Sequence, residues 1–280
     1  MDLENGATLL CEYFASEKPF LIGRNGTIEL EVLFSEKPTI EMLEKLELNA
    51  GVFPYTHAES WKLDYIDALA NVDVIAEGWY KRFAAKESEL LDSINKKRKP
   101  ILLRNLEPYY VRPSLRWSQY LADKRVAIIN SFATTCEEQT YMAKAIWGND
   151  AKTILPSSTT WIPIQTYYGP VLANGNAQWP SYITNYKEAV QNVVERTLEQ
   201  RPNIVIIGCG GLGMIIGSQL KNAGLQCIVM GGATQIMFGV RGKRWKNHEV
   251  ISTFFNDAWV FPPSTCIPRL ANRIEGGCYW

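Results

Sequence analysis

The stretch VIIGCGGLGMIIG, residues 205–217, constrains the fold of this chain more than any other segment. An apolar, β-branched run predicts a buried strand at 203–207, and the glycines at 208–213 predict a tight turn. An apolar helical pattern then resumes at 212–223. A strand, a glycine turn and a helix in this order are typical of one unit of a parallel α/β sheet.

The rest of the chain repeats this alternation of short strands and helices. We therefore predict an α/β fold with a Rossmann-like, mostly parallel sheet and helices on both faces. The predicted strands are 19–23, 72–76, 100–103, 125–130, 152–155, 161–167, 203–207 and 226–230, and the predicted helices between them are 40–48, 58–70, 85–97, 137–147, 182–200 and 212–223.

The composition favours a globular protein. The 280 residues are 46% hydrophobic and 21% charged, with a formal net charge of zero, which argues against a nucleic-acid partner. Because the sequence has neither a run of about 20 apolar residues nor a signal-peptide pattern, we expect no membrane span. The expected location is the cytoplasm, that of the host cell if the protein is viral.

The cysteine and histidine content limits which disulfides and metal sites the chain can form. The six cysteines form no C-x-x-C pair, which indicates reduced thiols rather than a disulfide framework. With only two histidines, a histidine-rich zinc site is excluded.

One basic, proline-flanked stretch interrupts the middle of the chain, NKKRKPILLRNLEPYYVRP. Such a composition shift is typical of a linker. It predicts an N-terminal α/β lobe at 1–122 and a nucleotide-binding lobe at 123–280, with one continuous domain as the alternative.

The glycine turn at 208–213 has the spacing G-x-G-x-x-G, which three kinds of protein share. A dinucleotide-binding dehydrogenase needs an acidic residue about 20 residues later for the ribose hydroxyls. No aspartate or glutamate occurs between Gln200 and His248. The absence of this acid counts against a dinucleotide site, and the other two interpretations are a site for another phosphate, or glycines that only let a helix pack closely on the sheet.

The same acid-free region contains a second glycine turn, at 231–235, followed by basic residues. Both turns precede helices, and in a parallel sheet both lie at the carboxyl edge, where ligands bind. We therefore predict a site for the diphosphate of a nucleotide-sugar. Its predicted contacts, with two polar residues that follow another strand, are Asn130, Ser131, Gly208, Gly210, Gly211, Gly213, Gly231, Gly232, Gln235, Arg241 and Arg244.

The N-terminal part supplies the candidate acids. In FLIGRNGTIELEVLF, Arg24 and Gly26 lie in a turn between strand and helix, and Glu29 begins the helix. Arg24 and Gly26 are predicted phosphate contacts. Asp73 interrupts an apolar strand, which is unfavourable unless a partner or a function explains it. Asp73 and Glu29 are the predicted catalytic carboxylates.

Three further motifs complete the pattern: RVAIINSFATTCEEQ, GGATQIMFGVRGKRW, and the ending from FNDAWVFPP to EGGCYW. With these motifs the chain resembles small glycosyltransferases of the GT-D fold type. That family includes bacterial polysaccharide enzymes and chlorovirus-encoded transferases that build capsid glycans. The resemblance extends over almost the whole chain, from about residue 20 to the final tryptophan.

The resemblance implies transfer of a sugar from a nucleotide-sugar donor to an oligosaccharide or glycan acceptor. The family's Arg-x-Gly-Asp-Gly-Glu turn corresponds here to Arg24, Gly26, Thr27, Ile28 and Glu29. Since Thr27 stands where the motif has aspartate, the implied Mn²⁺ or Mg²⁺ site is incomplete. Among the viral members, the implied parallel is a UDP-xylose-dependent, inverting β-xylosyltransferase. An NAD(P)-dependent oxidoreductase and a non-catalytic nucleotide sensor remain the alternatives.

Overall fold

The computed structural model describes residues 1–274 and 276–280; Glu275, the first residue of the EGGCYW motif, lies outside the described residues. The described strands are β1 (Phe20–Arg24), β2 (Val74–Ala76), β3 (Lys99–Ile101), β4 (Arg125–Asn130), β5 (Thr160–Gln165), β6 (Ile204–Gly208) and β7 (Gln226–Val229). They form one sheet in the order β3-β2-β1-β7-β6-β4-β5. Every pair is parallel, which confirms the predicted α/β class.

Helices fill the connections between the strands. The described α-helices are α1 (Leu3–Ala15), α2 (Thr27–Leu33), α3 (Ile40–Ala50), α4 (Ala58–Ala70), α5 (Ala84–Ile94), α6 (Ala133–Thr140), α7 (Ala143–Trp147), α8 (Ala151–Ile154), α9 (Pro170–Ala173), α10 (Tyr186–Glu199), α11 (Gly213–Asn222) and α12 (Ala233–Met237). The long segment between β3 and β4 consists of short 3₁₀ turns.

The strand predicted at 152–155 is wrong, because this segment lies at the short helix α8. Ala151, Ile154 and Leu155 are all buried. Their spacing of three and four residues places them on one face of a helix. A four-residue apolar run fits either period, so the sequence did not separate the two structures.

The sheet has a hydrophobic core on each face, which explains the uninterrupted apolar strands. In β4, Val126 and Ile128 pack in one cluster, and the alternate residues Ala127 and Ile129 pack in the other. The residues of β6 divide between the two clusters in the same way. Burial of each such side chain is worth about 1.5–3 kcal/mol. The central strands therefore position the loops at their carboxyl ends firmly.

Strand β1 connects the two parts of the chain. Its Ile22 pairs with Val74 of β2 on one side and with Ile228 of β7 on the other. Strands β1–β3 thus come from residues 1–122 and β4–β7 from residues 123–280, within one continuous sheet. The division into two lobes stays a prediction.

The six cysteines lie in the described part of the chain as thiols rather than as disulfides, as the sequence predicted. Within residues 1–274 and 276–280, no helix combines the length and apolar character needed to cross a bilayer.

Candidate functional site

A cavity of about 410 Å³ lies at the carboxyl edge of the sheet. Residues that follow β1, β4, β5, β6 and β7 line it, so it spans the centre of the sheet. This is the position where open α/β sheets bind ligands, and the volume is within the ordinary range for small-molecule sites. The predicted site residues that line it are Arg24, Gly26, Glu29, Asn130, Ser131, Gly208, Gly210, Gly231, Gly232, Gln235 and Arg244.

A buried polar network fixes the turn after β1. Asn25 donates to a Glu87 carboxylate oxygen (2.7 Å) and accepts from the Tyr65 hydroxyl (2.9 Å). The other Glu87 oxygen accepts from the Gly78 backbone N–H (2.8 Å), after β2. Asn25 and Glu87 are fully buried. The turn that presents Arg24 is thus held to the neighbouring strand by satisfied polar groups.

Arg24 lies half-buried on the cavity wall. Its Nε donates to the Asn25 carbonyl oxygen (3.0 Å), and its guanidinium lies over the Trp79 ring, 4.8 Å from the centroid. The guanidinium also lies beside Gly231, because a Cβ atom placed there would be 3.1 Å from the Arg24 Nη1 atom. Among the described residues, neither Nη group has a hydrogen-bond acceptor or an ion-pair partner. Arg24 is therefore a preorganised cation with free donors.

Glu29, in the first turn of α2, is a buried carboxylate on the same wall and is only 8% exposed. Burial raises its pKa, and the nearby Arg24 guanidinium partly opposes that rise. The carboxylate lies directly against Gly26, where a Cβ atom would overlap it. Glycine at 26 thus makes room for the acid rather than for a ligand.

The glycines of the turn after β6 were predicted to contact a ligand, but several of them lie against neighbouring parts of the protein. A Cβ atom on Gly210 would lie 2.7 Å from the Ala50 carbonyl oxygen, at the end of α3. The Gly211 carbonyl oxygen accepts from the Trp61 indole N–H (3.0 Å), and Gly213 faces Val229. Gly211 and Gly213, which were predicted ligand contacts, lie outside the lining of the cavity.

Asn130 and Ser131 lie at the end of β4, where the cavity opens. Asn130 donates to the Gly208 carbonyl oxygen (2.7 Å) and accepts from the Phe132 backbone N–H (2.8 Å). The Ser131 hydroxyl accepts from the Tyr168 hydroxyl (3.0 Å). Asn130 thus ties β4 to the glycine turn, and Ser131 presents a hydroxyl already oriented by a neighbour.

Gln235 positions the C-terminal segment against the cavity. It is 2% exposed, and its Nε2 donates to the carbonyl oxygens of Val240 (3.3 Å) and Tyr279 (3.4 Å). Tyr279 and Trp280 also line the cavity. Gln235 therefore touches both the site and the segment that closes it.

The two predicted arginines near residue 240 have different surroundings. Arg244 is exposed at the cavity, where its Nη1 donates to the Tyr279 hydroxyl (2.9 Å). Arg241 does not line the cavity; its backbone N–H donates to Val260 and its guanidinium lies over Phe261. The structure thus brings Arg244, but not Arg241, to the cavity.

The structure places Asp73, a predicted catalytic carboxylate, just before β2 and so at the amino edge of the sheet. Its Oδ2 accepts from the Leu21 backbone N–H (2.8 Å) and pairs with the Lys221 ammonium (2.8 Å). Asp73 does not line the cavity. These two partners explain an aspartate beside an apolar strand without any catalytic role.

The sequence missed three functional candidates in the 3₁₀ turns after β3. Arg104, Glu107 and Tyr109 line the cavity and bond to one another. Burial raises the pKa of the Glu107 carboxyl. The basic stretch around residue 100 is the sequence feature that could indicate these residues, but its composition is also typical of a linker.

Aromatic rings form much of the remaining wall. Trp79, Tyr167, Trp179 and Trp245 line the cavity with the two C-terminal rings. Tyr167 and Trp179 meet edge to face, with centroids 5.4 Å apart. Such walls are suited to a nucleobase or a sugar face.

The donor set does not fit a metal ion held by the protein. Within residues 1–274 and 276–280, no three histidine, cysteine, aspartate or glutamate side chains meet around one point. Thr27 lines the cavity where a metal-binding aspartate would be needed beside Glu29.

No protein-family model matches the chain, and no curated protein matches it. Among solved structures, the chain is similar to one described as a selenomethionine-substituted domain of unknown function 1792. The two share 12% sequence identity, the match covers 83% of this chain and 82% of the other, and the TM-score is 0.48. A likeness this distant carries no argument about activity.

Proposed function

We propose that this protein is a glycosyltransferase that uses a nucleotide-sugar donor. The observation that carries the proposal is Arg24, a fixed guanidinium whose two Nη groups have no acceptor among the described residues. A diphosphate matches such a group in charge and in hydrogen-bond geometry. Arg244 adds a second positive charge at the same cavity.

Glu29 supplies the second requirement of sugar transfer, a base for the acceptor hydroxyl. The acceptor oxygen attacks the anomeric carbon while the bond from that carbon to the diphosphate oxygen breaks. Glu29 takes the hydroxyl proton, and the electron pair leaves with the nucleoside diphosphate. A single displacement of this kind inverts the anomeric configuration. The raised pKa makes Glu29 a stronger base than an exposed carboxylate.

The narrower form of the proposal is transfer of xylose from UDP-xylose to a glycan acceptor, with a β-linked product. The resemblance of the sequence motifs to viral GT-D transferases supports this donor. The aromatic wall supports a base and a sugar ring in the same cavity.

An NAD(P)-dependent oxidoreductase fits the cavity less well. No carboxylate follows β7 on the described wall, where Gly231 and Gly232 lie instead. The Ala50 carbonyl oxygen also packs against Gly210, the second glycine of the turn, which the dinucleotide motif uses for close backbone approach to the pyrophosphate.

Isothermal titration of the wild-type chain and Arg24→Met with UDP, UDP-xylose and NAD tests the proposal. We expect Arg24→Met to bind UDP at least about 10-fold more weakly, the loss of one charge-assisted hydrogen bond. The control is Arg112→Met, because the Arg112 side chain is 59% exposed and lies outside the cavity.

Binding of NAD without UDP would overturn the proposal, as would an unchanged UDP affinity in Arg24→Met. Mass analysis of acceptor glycans incubated with UDP-xylose separates a transferase from a nucleotide sensor, which would bind the donor without forming product.

A further inference from the structure

A cluster of three polar side chains forms one wall of the cavity, and the proposed mechanism gives it no part. Arg104 Nη1 donates to both Glu107 carboxylate oxygens, at 3.0 and 3.1 Å. The Tyr109 hydroxyl donates to Glu107 Oε2 (2.8 Å). We call these residues, Arg104, Glu107 and Tyr109, the Glu107 cluster.

The cluster is rigid and still has hydrogen-bonding capacity. Glu107 is 4% exposed, and Tyr109 stacks on Trp147 with the rings 9° from parallel. The Arg104 guanidinium lies 4.2 Å from the Tyr110 ring centroid. Glu107 Oε1 accepts only the Arg104 bond and keeps a lone pair, whereas Oε2 already accepts two bonds. Arg104 Nε and Nη2 have no acceptor among the described residues. A paired acceptor and donor of this kind match two adjacent hydroxyl groups.

The cluster lies close to the predicted diphosphate position. Arg24, Glu29 and Glu107 all line this cavity. The charge of Arg24 also opposes the rise that burial causes in the pKa of each of the two carboxyls. A group bonded to a diphosphate at Arg24 therefore lies in the cavity that both carboxylates line.

The two carboxylates differ in their partners, which suits them to different tasks. Glu107 is held by an arginine and a tyrosine, and these bonds favour its charged, hydrogen-bond-accepting form. Glu29 has no bond to another side chain among the described residues. A carboxylate held by an arginine and a tyrosine is fixed in orientation, which suits it to accept hydroxyl hydrogens at a defined position.

Building on the proposed function, we propose that the Glu107 cluster binds two adjacent hydroxyl groups of the donor's sugar ring. Glu107 is then a specificity-determining residue, which distinguishes a nucleotide-sugar from the bare nucleoside diphosphate. The sugars that fit are those with vicinal hydroxyls, and a donor deoxygenated at one of these positions binds more weakly.

The test compares nucleoside diphosphates with their sugar-bearing forms by isothermal titration, using UDP with UDP-xylose, UDP with UDP-glucose, and GDP with GDP-mannose. For the pair that wild type binds, we expect Glu107→Gln to keep the affinity for the bare diphosphate within about threefold. Affinity for the sugar-bearing form should fall about 10-fold or more, which corresponds to about 1.4 kcal/mol.

The matched control is Glu77→Gln, which removes a carboxylate from a second buried arginine pair, with Arg98 at 2.8 Å, outside this cavity. It should leave the ratio of the two affinities unchanged. If Glu107→Gln does not fold, Tyr109→Phe replaces it and should lower the sugar-dependent affinity about threefold.

Equal losses for the diphosphate and its sugar-bearing form would overturn the role of the Glu107 cluster, as would no loss for either. In both cases the proposed function stands. Failure of the wild-type chain to bind any of the nucleotides would instead overturn the proposed function, and this inference with it.

Discussion

Glu29, the proposed base, lowers the stability of the folded chain because its carboxylate is buried. Its carboxylate is 8% exposed and has no bond to another side chain among the described residues. A buried carboxylate without such a bond is held at a cost in free energy, because its charged form is desolvated. A buried carboxylate with this cost in free energy is unfavourable unless it has a function. The burial of Glu29 therefore supports its proposed role as the base.

We expect Glu29→Gln to lose activity while gaining relative stability at neutral pH. Because the folded-state pKa of Glu29 is raised, the folded chain keeps a proton that the unfolded chain has released. The free energy of unfolding therefore falls as pH rises from about 4.5 through the raised pKa. Glu29→Gln lacks this fall, so its stability relative to wild type is greater at pH 7 than at pH 4. Urea denaturation across this pH range measures the difference.

Turnover of Glu29→Gln at saturating donor should be about 10² to 10⁴ times lower than that of wild type. Asp73→Asn is the control, because Asp73 pairs with Lys221 at the amino edge of the sheet. It should cost about 1 kcal/mol of stability and keep turnover within about threefold. Normal turnover in Glu29→Gln would refute the assignment of the base.

The position of a candidate residue in the sheet could be predicted where a motif follows the end of a strand. Arg24 and Glu29 follow β1 directly, so they had to reach the carboxyl edge. Asp73 precedes the first residue of β2, so in a parallel sheet it lies at the amino edge, away from the cavity. The predicted strand at 72–76 also has Asp73 near its start, so the order along the strand indicates the edge even where the exact bounds of the strand differ.

At the scale of elements, the close contact of α11 with the sheet explains why residue 217 is a glycine, although it lies within the helix and outside the glycine turn. A Cβ atom on Gly217 would lie 2.7 Å from Leu21 Cδ1 and 3.4 Å from side-chain atoms of Ile207 and Val229. Leu21 is fully buried in β1 and has little room to move. The glycine lets the helix approach β1, β6 and β7 together.

We expect Gly217→Ala to destabilise the chain by about 1–3 kcal/mol through overpacking. In an exposed helix the same change would stabilise by about 0.5–1 kcal/mol, so the sign of the effect is informative. Urea denaturation measures it, and adding Leu21→Val should recover part of the loss. Gln219→Ala, on the exposed face of α11, should stay within about 0.5 kcal/mol of wild type. A stabilised Gly217→Ala would contradict the packing.

The helices and strands could be predicted wherever apolar residues recur along the sequence with a clear helical or strand period. The helix predicted at 58–70 coincides with α4, and the strand at 125–130 coincides with β4. The segment with Arg104 and Glu107 forms 3₁₀ turns, which have no period that a sequence pattern can show. That part of the site depends on tertiary packing, so it became visible only in the structure.

At the scale of the whole molecule, the sheet order makes the two parts of the chain depend on each other. Strand β1 lies between β2 and β7, and the cavity takes residues from both parts. The order itself could not be predicted, because the pairing of β1 with β7 leaves no local signal in the sequence.

We therefore expect one cooperative unfolding transition in urea. Far-ultraviolet circular dichroism and tryptophan fluorescence should give coincident curves. A fragment of residues 1–122 should not fold alone, since β1 would lose a partner on its β7 side. Two separate transitions would instead indicate that the predicted lobes at 1–122 and 123–280 fold independently.

The pairing of Ile22 with Ile228 also determines when the centre of the sheet can form during synthesis of the chain. At translation rates of about 5–20 residues per second, β1 leaves the ribosome roughly 10 to 40 seconds before β7 is made. Throughout that interval β1 lacks its partner on the β7 side, and an unpaired strand edge of this kind invites aggregation. The cavity takes shape late, when the last central strand arrives beside the first.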